Sequence, residues 1–183
     1  MATVEVLHPG FVDERGVGST VSLVVDGGAR IVVDPGMVAD REDILGPLRD
    51  RGLAPEDVTH VFLTHHHPDH TVNAALFPNA AVVDSWATYR ATEWTDHAGD
   101  GHRLSPQVTL VLTPGHSAED ATLLVDTDDG VVACTHLWWR EDRTPEIDPR
   151  AADQAALDGS RARVLGLADI VIPGHGPAFR VSR

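Results

Sequence analysis

Short runs of β-branched and aliphatic residues, cut by turn residues, dominate the chain. "STVSLVV" at 19–25, then Asp26-Gly27-Gly28, then "RIVVDPG" at 30–36 reads as a hairpin, because Asp-Gly-Gly supplies the residues a tight turn wants. "REDILGPLRDRGL" at 41–53 carries Ile44, Leu45, Leu48 and Leu53 at roughly helical spacing, although Gly46 and Pro47 weaken the pattern. "VTHVFLT" predicts a strand, and "AALFPNAAVVDS" a short helix leading into another. The second half repeats the theme with strands at "QVTLVLTP", "ATLLVDT" and "GVVACTH". A helix is predicted near 151–168, followed by a last strand at "DIVIPGHG". Strands and helices in this mixed order, with several hairpins, fit α+β or layered α/β packing better than a doubly wound sheet.

A length of 183 residues suits one domain spanning 1–183, and no linker, repeat or low-complexity segment divides it. The absence of a long apolar run predicts no membrane span, and "MATVEVLHPG" lacks the basic and apolar regions of a secretory signal, so a cytoplasmic location is expected. Charge narrows the partners. With 28 acidic against 14 basic residues, a formal charge of −14 and no Lys, the surface repels phosphate backbones, which argues against nucleic acid as a partner. Cys134 has no partner for an internal disulfide and reads as a buried thiol. Nothing in the sequence specifies the oligomeric state.

The chemistry concentrates in "THHHPDH" at 64–70. His65 and His67 lie two apart just after a strand, so in extended backbone both side chains point the same way while His66 points oppositely. Pro68 then breaks the extension, and Asp69 and His70 fall where a helix begins, aimed in a new direction. Imidazole with carboxylate suits zinc, iron, manganese or nickel, and no thiolate set points to a closed structural zinc site. Three more imidazoles end three more strands: His116 in "TPGHS", His136 in "ACTHLWW" and His175 in "IPGHGP". Loops at one sheet end are where convergent ligands are built.

Running from "VVDPG" near residue 34 through "THHHPDH", "TPGHS" and "IPGHGP", these motifs resemble those of the metallo-β-lactamase-fold hydrolases. The resemblance implies a four-layer αββα sandwich, two metal positions and a hydroxide between them. By motif, His65, His67 and His116 would hold the first metal, and Asp69, His70 and His175 the second. Asp34 would brace the metal loop from behind, and Asp69 would orient the hydroxide. Length and spacing are most similar to the small single-domain members grouped with metallo-β-lactamase-domain-containing protein 1. A chain ending soon after His175 would lack the helical C-terminal domain of the glyoxalase II-like members.

One position departs from the family pattern. Where two-metal members usually carry a bridging Asp, this chain has Thr135-His136. His136 is expected to ligate the second ion without bridging, which leaves Asp69 as the one anionic ligand and favours zinc or iron over manganese. The implied activity is that of a metal-dependent hydrolase, with one or two zinc ions, acting through a metal-activated hydroxide on a small ester, thioester, lactone or phosphoester. Two alternatives stand: a mononuclear iron dioxygenase of the same fold, and a metal-binding module that has lost hydrolysis. Trp138 and Trp139, directly after His136, are candidate walls of a substrate pocket; Trp86 and Trp94 read as either pocket or core. The interval 96–102 is a candidate lid, with His97 and His102 exposed in it.

Overall fold

The computed structural model describes residues 1–14 and 16–182. The first half of the chain contributes β1 (Thr3–His8), the small hairpin β2 (Phe11–Asp13) and β3 (Gly16–Gly18), β4 (Val21–Asp26) and β5 (Ala29–Val33). After α1 (Glu42–Asp50) come β6 (His60–Phe62), the one-turn α2 (Pro68–Thr71), β7 (Ala81–Val83), β8 (Ala87–Arg90) and β9 (Glu93–Asp96). The second half adds β10 (Arg103–Ser105), β11 (Val108–Leu112), β12 (Ala121–Thr127), β13 (Gly130–Cys134), α3 (Gln154–Leu167), β14 (Ile170–Ile172) and β15 (Phe179–Arg180). These strands form a seven-stranded sheet in the order β1-β4-β5-β6-β7-β8-β9 and a six-stranded sheet running β10 to β15 in sequence.

Side-chain alternation stacks the layers. On β5, Ile31 and Val33 face the other sheet, where they meet Leu110, Leu123 and Val125, while Val32 faces outward to Ile44 and Leu48 of α1. On the far side, Ala133 and Val171 pack beneath Leu157 and Val164 of α3. The result is helix, sheet, sheet, helix: the expected αββα sandwich. Pro47 sits inside α1 and does not end it. Interior proline costs a helix about 3 kcal/mol, but Ile44 and Leu48 are fully buried, and burial stabilises by roughly 1.5–3 kcal/mol each. Cys134 is buried between the sheets, where desolvation pushes its thiol up to about 12. No helix among the described residues is long and apolar enough to cross a membrane.

Strand direction places the site. β5, β6 and β7 pair in parallel, as do β13 and β14, whereas β11 and β13 both run antiparallel to β12. Within each sheet the loops after these parallel-running strands therefore leave from one end. Asp34 follows β5, His65 follows β6, His116 follows β11, His136 follows β13 and His175 follows β14.

Candidate metal centre

The loop after β5 is the scaffold for the histidine motif. Asp34 adopts φ 48°, a left-handed conformation that Asp tolerates better than most residues. Its buried carboxylate explains why it stays there. Oδ1 accepts the Thr64 backbone N–H at 2.8 Å, and Oδ2 accepts the Thr64 hydroxyl at 2.7 Å and contacts His70 Nδ1 at 2.8 Å. One carboxylate thus fixes both ends of the motif. Gly36, two residues on, lies so close to the Asp69 carbonyl that an added Cβ would stand 1.6 Å from its oxygen. The Met37 N–H donates to that same oxygen at 3.0 Å.

Two other imidazole-bearing loops, and His65 within the motif, are held through Nδ1, whereas His136 Nδ1 has no partner among the described residues. His116 Nδ1 stands 3.0 Å from Asp148 Oδ2, His175 Nδ1 is 3.1 Å from the Gly18 carbonyl, and His65 Nδ1 is 3.1 Å from the Thr64 hydroxyl. Since carbonyls and carboxylates only accept, the His70, His116 and His175 Nδ1 atoms carry the proton and the Nε2 lone pairs point inward. Beneath these loops, Thr113, Thr122 and Thr135 chain their hydroxyls at 2.9 and 2.7 Å.

The inward nitrogens converge. His67 Nδ1 lies 3.0 Å from His65 Nε2 and 3.2 Å from His116 Nε2, and His136 Nε2 lies 2.9 Å from His175 Nε2. Asp69 Oδ2 stands 3.5 Å from His70 Nε2 and 3.7 Å from His175 Nε2. Two three-histidine sets have donor atoms within 4.8 Å of one another: His65, His116 and His136; and His70, His136 and His175. The structure thus brings all seven expected donor residues together. It also gives His136 a wider place than expected, within reach of both sets rather than of the second alone. Burial pushes His65 and His136 well below the usual histidine range, with the neighbouring imidazoles adding to the effect. Burial lowers His116 against an opposing pull from Asp148, and lowers His175 to about 4. These rings are neutral near pH 7, the state in which imidazole ligates.

A test of fit for metal lies in the orphaned atoms. His70 Nε2 and His136 Nδ1 are buried without a hydrogen-bond partner, a costly arrangement that a cation relieves. Crowded imidazole lone pairs with a single lining carboxylate suit a borderline-soft divalent ion. A cavity of about 270 Å³ opens over the rings, lined by Val17, Asp69, Trp139 and Arg150 together with the imidazoles.

Several surrounding residues sit elsewhere than the sequence suggested. Trp139 lines the cavity, but Trp138 packs elsewhere, its ring 6.0 Å from Phe179 on the α3 side of the second sheet, in the bent segment that follows β13. Of the two, only Trp139 lines the cavity. Trp86 and Trp94 are 51% and 64% exposed, so neither is core. His97 and His102 are half-buried and stacked at 4.0 Å rather than exposed, and interval 96–102 is pinned to β11 by Gly101 N–H on the Leu110 carbonyl and Leu112 N–H on Asp100. None of its residues lines the cavity, which removes the lid assignment. His66 turns away from the other imidazoles, as expected, to Asp84 at 3.1 Å. Asp148, missed in the sequence, lies in "TPEIDPR", a stretch with the composition of a charged surface turn; only its contact with His116, 32 residues away, reveals it.

Comparison with known proteins agrees with this arrangement. The family described as "Metallo-beta-lactamase superfamily" matches residues 15–179. The chain is 38% identical over 165 residues to the Xenopus laevis protein named metallo-beta-lactamase domain-containing protein 1, covering 86% of this chain and 71% of that one. To the Homo sapiens protein of the same name it is 41% identical over 160 residues, covering 84% of this chain and 60% of the relative, so it spans less than two thirds of the human length. An N-acyl homoserine lactonase of Bacillus cereus is 27% identical over 114 residues, 54% of this chain and 45% of that one. Among solved structures, a putative metallo-beta-lactamase of Thermotoga maritima superposes with a TM-score of 0.73 at 22% identity, covering 98% of this chain and 99% of the other. A shared fold, a family match across nearly the whole length and relatives near 40% identity lead to one conclusion: this chain belongs to the metallo-β-lactamase superfamily.

Proposed function

We propose that the protein is a metal-dependent hydrolase of a small ester, thioester, lactone or phosphoester, with zinc as the favoured ion. The observation that carries this reading is the convergence of His65, His67, His70, His116, His136, His175 and Asp69 at one cavity, which His67, Asp69, His116, His136 and His175 line, with buried ring nitrogens left unpartnered among the described residues. His65, His67 and His116 would hold one ion and Asp69, His70 and His175 another, with His136 between them. A metal held there would supply an acidified water and polarisation of the oxygen that gains charge during attack.

The chain's own groups do the rest. Among the described residues Asp69 is the one carboxylate lining the cavity, and from there it would orient the attacking water by accepting a hydrogen bond from it. Asp34, the Gly18 carbonyl and Asp148 hold the imidazoles in one tautomer, so no reorganisation is needed as charge develops. Trp139 excludes water from one wall. Similarity to a lactonase supports an acyl–oxygen bond as the target.

The test is elemental analysis of protein purified without added metal, followed by assay of the same sample on esters, thioesters, lactones and phosphoesters. Bound zinc, turnover abolished by chelator and turnover restored by zinc are expected. A single iron with oxygen consumption would replace the hydrolase by a dioxygenase, and turnover that survives exhaustive chelation would overturn the metal-dependent reading.

A further inference from the structure

We infer that the Trp139–Arg150 wall of the cavity is a subsite for a carboxylate carried by the substrate, so that the molecule cleaved is a compact anion. The inference rests on the hydrolase reading and narrows it to one substrate class.

Arg150 lines the same cavity as Asp69 and the imidazoles, and it is the one Arg or Lys among the described residues that do so. Its guanidinium makes no hydrogen bond or ion pair among the described residues, whereas Arg49, Arg51, Arg140, Arg161 and Arg163 each pair with a carboxylate. Arg150 is exposed, as are other arginines that form no ion pair; what sets it apart is that it lines the cavity, where it places a positive charge in a chain of net charge −14. The overall charge does not forbid an anionic ligand, since at physiological salt it is screened beyond about 8 Å and the nearest fixed charge decides.

The backbone of Arg150 is also fixed relative to the imidazoles. Its N–H donates to Asp148 Oδ1 at 2.9 Å, while Asp148 Oδ2 holds His116 Nδ1 at 3.0 Å and accepts Trp139 Nε1–H at 3.2 Å. Ala152 N–H donates to the His116 carbonyl and Asp153 N–H to the Gly115 carbonyl, both at 3.0 Å. One buried carboxylate therefore sets a histidine of the metal site, an aromatic wall and the base of a cationic side chain. Because the Trp139 N–H is spent on Asp148, the indole offers its ring face and edge as apolar surface. What remains polar on this wall is the Arg150 guanidinium.

The ligand chemistry follows from matching these parts. A guanidinium fork binds a carboxylate through two parallel hydrogen bonds. A phosphate dianion asks for more than one positive charge, and Asp69 and Asp148 already place two carboxylates near the cavity. An apolar stretch of a few carbons against Trp139 would separate the carboxylate at Arg150 from the reacting carbonyl at the imidazoles. A volume of about 270 Å³ limits the whole to a short chain.

The experiment is calorimetric titration of zinc-loaded protein with glutarate and with its monoamide, 4-carbamoylbutyrate, in wild type, Arg150→Gln and Arg150→Lys. Wild type should bind glutarate roughly 10-fold or more tightly than the monoamide, the span of a charge-assisted hydrogen bond. That preference should disappear in Arg150→Gln and return in part in Arg150→Lys. Equal affinities in wild type, no binding of either compound, or a preference that survives in Arg150→Gln would each overturn the inference. Turnover is scored separately: an Arg150-dependent preference in a protein that cleaves no ester would remove the hydrolase and leave the anion subsite.

Discussion

His136 Nε2 and His175 Nε2 face each other at 2.9 Å, from loops that leave the neighbouring strands β13 and β14 at the same end. His175 commits its other nitrogen to the Gly18 carbonyl, while His136 Nδ1 is buried with no partner at all. His136 thus keeps a second, unpartnered nitrogen and belongs to both three-histidine sets, at the position where the family usually places a bridging aspartate.

Substitution at this residue should separate the two sites. His136→Ala is expected to lower bound metal from two ions toward one, and His136→Asp to retain two with tighter binding of the weaker ion. Metal stoichiometry by elemental analysis and chelator competition measures both. An alanine variant with full, equally tight metal content would remove His136 from the ligand set.

Asp148 gives a second expectation. Asp148→Ala strands the buried His116 donor, at a cost of about 1–3 kcal/mol, and releases the part-buried Trp139 N–H, which water can reach. Loss of the carboxylate behind a metal-binding histidine typically costs 10–100-fold in affinity. Zinc affinity by competition titration should fall within about that range, with a lower Tm. Asp148→Asn, which keeps one acceptor oxygen, should fall between the variant and wild type.

Gly36 gives the third. A methyl group there would overlap the Asp69 carbonyl oxygen at 1.6 Å, and because that atom is backbone the motif loop itself must move. Gly36→Ala should destabilise the fold by about 1–3 kcal/mol or more by denaturant unfolding and reduce metal uptake. Gly46→Ala, where an added Cβ meets nothing within 4 Å, serves as the control and should be neutral or slightly stabilising.

Legibility from sequence followed the distance over which each feature is encoded. The hairpin at Asp26-Gly27-Gly28, the helix ending at Leu167 and the same-side geometry of His65 and His67 depend on neighbours in the chain, and the structure shows each of them. The two-faced strands β4 and β5 read as strands for the same reason. Asp148 could not be read this way, because its partners lie 32 residues back and on a wall it does not adjoin in sequence. Trp138 and Trp139 show the opposite failure. Their identical side chains stand side by side, and only the local backbone direction decides that one packs against Phe179 and the other lines the cavity. The stacking of His97 on His102 depends on contacts with β11 that composition does not encode.

The division of the strands has a consequence for biosynthesis. Every strand of the first sheet lies within residues 3–96 and every strand of the second within 103–180. The ribosome therefore releases His65, His67, Asp69 and His70 on one sheet long before His116, His136 and His175 exist on the other. His175 is the last of these donors in chain order, and its ring faces that of His136 at 2.9 Å. The His65, His116 and His136 set is complete in chain order once residue 136 exists, whereas the His70, His136 and His175 set waits for the strand β14 that precedes His175, so the two sets become available at different points of synthesis, and a stop between residues 136 and 175 yields a chain that keeps every member of the first set and lacks one of the second.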